Sequence, residues 1–145
     1  MSEEIINLAR GWLGTPFKHQ GRVKNHGCDC LGFIIGVGKE LDIKPKGKNL
    51  SEIDEINYSQ IPDSKRLQEK LSQYLRRIDL ADINKGQIAL LEFQGEPRHL
   101  GIIANHQSSN MLSIIHCYQP AGKVVEHILD NKWQRRIKAL YEVEL

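Results

Sequence analysis

The densest chemistry in the chain lies in Gly27-Cys28-Asp29-Cys30-Leu31-Gly32-Phe33. Cys30 stands where an apolar helix would begin. Free backbone N–H groups and the positive end of the helix macrodipole favour a thiolate there. Asp29 suits the N-cap, and Gly32 leaves room for a close approach by backbone or ligand. The same residues also fit a small buried cysteine, since free Cys is among the most buried side chains. A thiol nucleophile needs a base, and the base needs a partner that orients it. There are six histidines: His19, His26, His99, His106, His116 and His127. Two of them fall in runs that read as a hairpin, His99–Asn105 and Met111–Tyr118, around a loop at His106-Gln107-Ser108-Ser109. With Asn105 facing Asn110, His99 lies directly opposite His116 on one sheet face, with Cβ atoms about 4.5–5.5 Å apart. An imidazole–imidazole hydrogen bond would then fix the tautomer of His99. A slip of two residues would make the pair diagonal but keep the face, whereas a slip of one would separate them. The competing reading is two unrelated histidines on a half-buried sheet.

The remaining candidates carry less. Cys28 is spaced from Cys30 as Cys-x-Cys, open to a regulatory disulfide or to a metal shared with His26 or His19. That spacing is tighter than most tetrahedral zinc sites use, and no metal site is expected. Cys117 follows His116, so strand alternation turns it to the opposite face, into the core. Trp12 and Trp133 read as packing residues rather than carbohydrate platforms. Arg76-Arg77 and Arg135-Arg136 read as solvated faces. His106 and His127 have no evident partner.

Elements that could position these groups follow from periodicity. Residues 2–13 read as a helix, with Ser2 as cap, Glu3 and Glu4 at its positive end, and an apolar stripe from Ile5 to Leu13 stopped by Gly14 and Pro16. Residues 18–28 read as a polar, Gly-rich loop. A second helix runs from about Asp29 to Leu41 and is apolar all round, so it should be buried. Residues 42–62 are an irregular excursion. Asp63 to Ile78 is an amphipathic helix with Leu67, Leu71, Tyr74, Leu75 and Ile78 on one face. Gln87–Phe93, His99–Asn105, Met111–Tyr118, Lys123–Leu129 and Ile137–Val143 then read as strands. Helices first and a strand meander second make an α+β domain.

The 145 residues fit one domain, 1–145, and are enough for a core without staples. Hydrophobic residues are 40% and charged residues 26%, which excludes a disordered polymer, a collagen-like repeat and a coiled coil. The net charge of +2 gives no global electrostatic case for nucleic acid. Three cysteines cannot all pair, which argues against a disulfide scaffold. Apolar runs are too short for a membrane span of roughly 20 residues. The start MSEEIINLAR does not read as a secretory signal, so synthesis in the cytoplasm is the expectation.

Taken in order, Asp29-Cys30-x-Gly32, His99-Leu100-Gly101-Ile102-Ile103 and Ile114-Ile115-His116 resemble the NlpC-type cell-wall peptidases, papain-like cysteine peptidases of peptidoglycan. Gly14-Thr15-Pro16-Phe17-Lys18-His19-Gln20-Gly21 resembles the family's upstream motif. Gly122-Lys123-Val124-Val125-Glu126-His127 and Trp133-Gln134-Arg135-Arg136 are similar to its phage-tail and gene-transfer-agent branch. The resemblance implies a papain-like fold, with N-terminal helices packed on an antiparallel sheet of about five strands. It implies Cys30 as nucleophile, His99 as general base and acid, and His116 as the orienting residue. No cofactor is implied. The implied substrates are peptidoglycan stem peptides, cut at the bond between γ-linked D-glutamate and a diamino acid. Substrate contacts would come from Asp29, Phe17, His19, Gln20 and Leu31. Phe17 stands where many relatives have a Tyr that helps bind the oxyanion, so either a neighbour such as His19 or Gln20 substitutes or the rate is lower. Leu31 stands where many have a substrate-contacting Ser. The phage-like ending implies tail-like structural partners and action at the wall after delivery in a tail-like particle. Two other readings share the fold: a structural tail-tip or assembly protein with little turnover, and a thiol acyltransferase or hydrolase of a non-wall amide.

Overall fold

A computed structural model describes residues 2–55, 58 and 63–143. The first helix, α1 (Ser2–Arg10), buries Ile5, Ile6 and Ala9 and keeps Glu3 and Glu4 at its positive end. It stops three residues earlier than its apolar stripe suggests. Residues 11–14 form a turn, and Trp12 still packs inward, its ring against Gly36 and edge-on to Phe33. The expected loop 18–28 closes on itself as a small antiparallel pair, β1 (Arg22–Val23) and β2 (Gly27–Cys28). Helix α2 (Cys30–Glu40) follows, capped by Asp29, with Gly32, Phe33, Gly36, Val37 and Gly38 buried. Its small residues let it lie close to its neighbours: a Cβ on Gly36 would come within 2.1 Å of the Trp12 ring.

The excursion after α2 contains a 3₁₀ turn at Pro45–Gly47 and the four-residue helix α3 (Leu50–Ile53). Residues 56, 57 and 59–62 of that expected excursion lie outside the described residues. Helix α4 (Ser64–Tyr74) is capped by Asp63, whose carboxylate accepts from the N–H groups of Lys65 and Arg66. The expectation that this helix continues to Ile78 is corrected. Arg76–Ile78 forms strand β3 instead, paired with the last strand of the chain. Ile78 sits four residues after Tyr74, so its position fits a helical stripe equally well. The free edge of the sheet decides the matter, because it offers partners for the backbone.

The remaining strands are β4 (Ile88–Phe93), β5 (Glu96–Asn105), β6 (Leu112–Tyr118), β7 (Lys123–Ile128) and β8 (Ile137–Glu142). With β3 they make one six-stranded antiparallel sheet in the order β3-β8-β4-β5-β6-β7, one strand more than the five expected. Strand β5 starts three residues before His99. Gln94 and Gly95 turn at φ 56° and 80°, as a two-residue hairpin requires, and a bulge at Leu91/Glu92 accommodates Pro97. Helices cover one face of the sheet, where Ile88, Leu90, Leu100, Ile102 and Ile115 meet α1, α2 and α4. On the other face Ala89, Leu91, Ile103, Ile114 and Leu140 join Leu129 and Ile137 in a second core. Each fully buried Leu or Ile contributes about 1.5–3 kcal/mol. The mixed α+β class read from the sequence is the observed one. Among the described residues, no helix is long and apolar enough to cross a membrane.

Candidate active site

Cys30 is the first residue of α2 and half-buried. Gly32, two residues on, has no room for a side chain: a Cβ there would lie 1.8 Å from the carbonyl oxygen of Gly21. The loop before the helix is thus pressed against its first turn. Asp29 holds that junction. Its Oδ1 accepts from the Gly32 N–H (2.8 Å) and from Arg22 Nη1 (3.2 Å), and its Oδ2 accepts from the Gln20 N–H (2.8 Å) and from the Tyr58 hydroxyl. Arg22 reaches on to Asp54 with two parallel bonds, Nε–Oδ2 2.9 Å and Nη2–Oδ1 3.0 Å. Asp29 and Asp54 are largely buried, so the guanidinium between them supplies the charge their burial demands. Sequence reading missed Arg22, Asp54 and Tyr58, because they come from a loop and from the irregular excursion.

The thiol and His99 line one cavity of about 480 Å³, together with Phe17, His19, Asp29 and Leu31. Its walls are mostly apolar, from α2 and α4. Gln20 does not line it, and its side-chain amide instead bonds the Tyr58 carbonyl (2.7 Å), as does His19 Nε2 (3.1 Å). Asp29 was expected to contact substrate, but its carboxylate is engaged within the chain. Among the described residues, no hydrogen bond joins Cys30 to His99. Backbone N–H groups of Leu100, the neighbour of His99, and of Leu31 favour the thiolate. Burial, reinforced by the Asp29 carboxylate, pushes the Cys30 thiol up to about 12, while those two N–H groups work the other way. Burial thus works against the thiolate that the helix tip favours.

On the sheet the histidines do meet, in a different register from the one read. Ile102 pairs with Ile115 and Asn105 with Leu112, so His99 and His116 are diagonal rather than opposed. The two-residue slip preserves the face, and His99 Nε2 stands 2.7 Å from His116 Nδ1. Gly101 keeps the strands close at this point: a Cβ there would meet Ile114 Cδ1 at 2.7 Å and His116 Cβ at 3.2 Å. The loop is displaced because the His106 N–H bonds the Met111 carbonyl, while its ring accepts from the Ser108 N–H. His127, which had no evident partner in the sequence, continues the row. Its Nε2 lies 2.9 Å from His116 Nε2, and its Nδ1 lies 3.0 Å from the Ile128 carbonyl. His116 pairs with Val125, which puts His127 diagonal to it on the same face. Tyr118 stacks on His116, Phe93 stands edge-on to His99, and Trp133 packs on both His116 and His127. Trp133 is therefore a packing residue, as read. Burial pulls His99 down to about 3, helped by the Arg136 charge, and pulls His116 down to about 2, helped by its two histidine neighbours.

Cys28 and Cys117 face the core, with the Cys117 thiol donating to the Cys28 carbonyl (3.1 Å). Cys28, Cys30 and Cys117 are all free thiols. Among the described residues, no cluster of His, Cys, Asp and Glu has the geometry to hold a metal ion.

No protein-family profile matches the chain, and no curated protein is similar to it in sequence. Solved structures are similar in fold. The NlpC/p60 domain of the peptidoglycan hydrolase SagA has 17% identity and a TM-score of 0.63, covering 100% of this chain and 99% of that one. An NlpC/p60 family protein from Bacillus cereus has 17% identity and a TM-score of 0.66, with 99% of this chain matched to 40% of that one. The P60 domain of an antigen from M. avium subspecies paratuberculosis has 14% identity and a TM-score of 0.60, at 99% and 96% coverage. The chain thus spans well under half of the Bacillus protein and nearly all of the two isolated domains. A thiol at a helix start, a row of histidines on the sheet behind it and this likeness over the whole length together establish a papain-like fold of the NlpC/p60 type.

Proposed function

We propose that the chain is a cysteine peptidase of peptidoglycan stem peptides, with Cys30 as nucleophile, His99 as base and acid, and His116 as the residue that orients His99. One observation carries this reading: the 2.7 Å bond that ties His116 to His99, which lines the same cleft as Cys30. The fold supports it, since the similar SagA domain is described as part of a peptidoglycan hydrolase.

Both groups rest neutral in this reading, because burial disfavours the thiolate and the imidazolium alike. As the sulfur bonds to the amide carbonyl carbon, its proton passes to His99 Nδ1, the ring nitrogen that His116 does not use. The Cys30 backbone N–H, in the first turn and unused by the helix, is aimed to receive the oxyanion. Collapse breaks the C–N bond, and His99 returns the proton to the leaving amine. Water then gives a proton to His99 as its oxygen attacks the thioester. The C–S bond breaks, the sulfur recovers its proton, and an acid product leaves.

The bond between γ-linked D-glutamate and a diamino acid is the proposed cleavage point, on sequence resemblance alone. Delivery in a tail-like particle, with tail-like structural partners, rests on the same ground, and none of the similar structures named above is described as a tail component. A structural, weakly active role is the second reading. It is favoured by the lack of a hydrogen bond between Cys30 and His99 among the described residues, and by Phe17 and Leu31 at positions where the resemblance implies polar groups. Purified stem peptides incubated with wild type and Cys30→Ala, with products weighed by mass spectrometry, decide between them. The proposal expects a new acid and a new amine at that bond from wild type only. No product from folded wild type, or equal product from Cys30→Ala, overturns it.

A further inference from the structure

A carbonyl oxygen only accepts hydrogen bonds. The Ile128 carbonyl, 3.0 Å from His127 Nδ1, therefore requires the proton of neutral His127 to sit on Nδ1. That leaves His127 Nε2 as an acceptor, so the bond at 2.9 Å must be donated by His116 Nε2. Neutral His116 then has a bare Nδ1, and the bond at 2.7 Å must be donated by His99 Nε2. The remaining nitrogen of neutral His99, Nδ1, is left with a free lone pair. A single backbone carbonyl thus dictates the protonation of three rings, through three antiparallel strands that each contribute one histidine. Trp133 and Tyr118 lie on the middle of the row, which removes the water that could offer a competing donor or acceptor.

From this geometry we infer that His127 is a positioning residue: acting through His116, it holds His99 in the tautomer whose Nδ1 can take a proton from the nucleophilic thiol. The inference rests on the peptidase reading for its purpose, but the tautomers themselves do not depend on any substrate. His127 does not touch the reacting atoms. Its part is to make His116 a donor at Nε2, and without an acceptor there His116 is free to turn its proton to Nδ1. His99 would then have to accept at Nε2 and carry its proton on Nδ1, where it cannot serve as base. The two tautomers of a neutral imidazole have opposite competence at the thiol, so even partial loss of control lowers the fraction of active sites.

The test is a long-range ¹H–¹⁵N correlation spectrum of the full chain, labelled at histidine nitrogens and recorded near pH 8. It reads which nitrogen of each ring bears hydrogen. Wild type should show His99 and His116 protonated at Nε2 and His127 at Nδ1, with ¹⁵N–¹⁵N coupling across both ring-to-ring bonds. His127→Gln, whose side-chain oxygen can accept where Nε2 did, should keep the His99 pattern. His127→Phe keeps a ring but no acceptor and should mix the His116 and His99 tautomers. With stem peptide, kcat of His127→Phe should fall on the order of tenfold at nearly constant KM, well short of the ~10⁴-fold loss when a base's direct partner imposes the wrong tautomer. His127→Gln should recover most of that loss. A wild-type spectrum with His116 protonated at Nδ1 overturns the inference without any variant, even if His127→Phe fails to fold. So does an unchanged His99 tautomer in folded His127→Phe. Correct tautomers in a wild type that cleaves no peptide would overturn the peptidase reading and leave the histidine row standing.

Discussion

Two largely buried polar constructions reach the cleft, one through His99 and the other through Asp29, Asp54 and Tyr58, and they are built on opposite principles. The histidine row on β5, β6 and β7 is held by two ring-to-ring bonds of 2.7 and 2.9 Å between adjacent strands and by a 3.0 Å bond from His127 to the Ile128 carbonyl of its own strand, and burial disfavours charge on His99 and His116. The junction before α2 is ionic, with Arg22 between Asp29 and Asp54 and the Tyr58 hydroxyl closing the group. Its members come from positions 22 to 58 and are joined by no regular strand pairing. The sheet can orient a neutral base through register alone. The loop junction uses full charges, with the forked Arg22–Asp54 pair tying the excursion after α2 to the loop before it. The chemistry the proposal requires, a proton taken and returned, sits in the neutral construction. The ionic one fixes the backbone that carries the sulfur.

The largest expected effect separates the two at their glycines. Gly32→Ala drives a Cβ into the Gly21 carbonyl at 1.8 Å, where backbone meets backbone and nothing can give. It should cost well over ~3 kcal/mol in denaturant unfolding, or prevent folding. Gly101→Ala, on the histidine side, meets the flexible end of Ile114 and should cost only about 1–2 kcal/mol. Equal costs would mean that the loop junction is no tighter than the sheet. Next in size is Arg22→Met, which leaves Asp29 and Asp54 buried without their cation. About 3 kcal/mol of unfolding free energy should be lost, and a loss under ~1 kcal/mol would show that solvent reaches the junction freely.

The third contrast is in pH. His99 and His116 are held below their ordinary value, so the folded chain binds fewer protons than the unfolded one as pH falls through about 6.5. Their contribution to stability is complete above that pH. It should decline toward about pH 3 by roughly 1.4 kcal/mol per pH unit for each ring. Replacing both with Gln should flatten the slope of unfolding free energy between pH 6.5 and 5. An unchanged slope would show that the rings are already charged, or that water reaches them, in the native state.

The parts of the site written into local sequence were readable. Asp29-Cys30-x-Gly32 gave the cap, the helix start and the need for a residue without a side chain. Period-two alternation put His99 and His116 on one face and Cys117 on the other. The register was read two residues out, because it depends on how the His106 ring and the Met111 carbonyl shape the loop, which alternation does not encode. His127 was within reach. Gly122, at φ 75°, is the turn point that pairs Tyr118 with Lys123, and counting from that pair places His127 on the face of His116. The ionic junction was not readable, since nothing local links Arg22 to Asp54 or Tyr58. The end of α4 was ambiguous for a related reason: Ile78 fits a helical stripe, and only the distant β8 edge makes it a strand.

The account stands on a covalent bond between substrate and Cys30, and that bond can be weighed directly. Wild type mixed with a stem peptide, quenched in acid within one turnover and measured by intact mass and peptide mapping, should carry the acyl half of the substrate as a thioester on Cys30. Cys30→Ala should carry none. Turnover with no adduct on Cys30, or an adduct on Cys28 or Cys117 instead, would contradict the account.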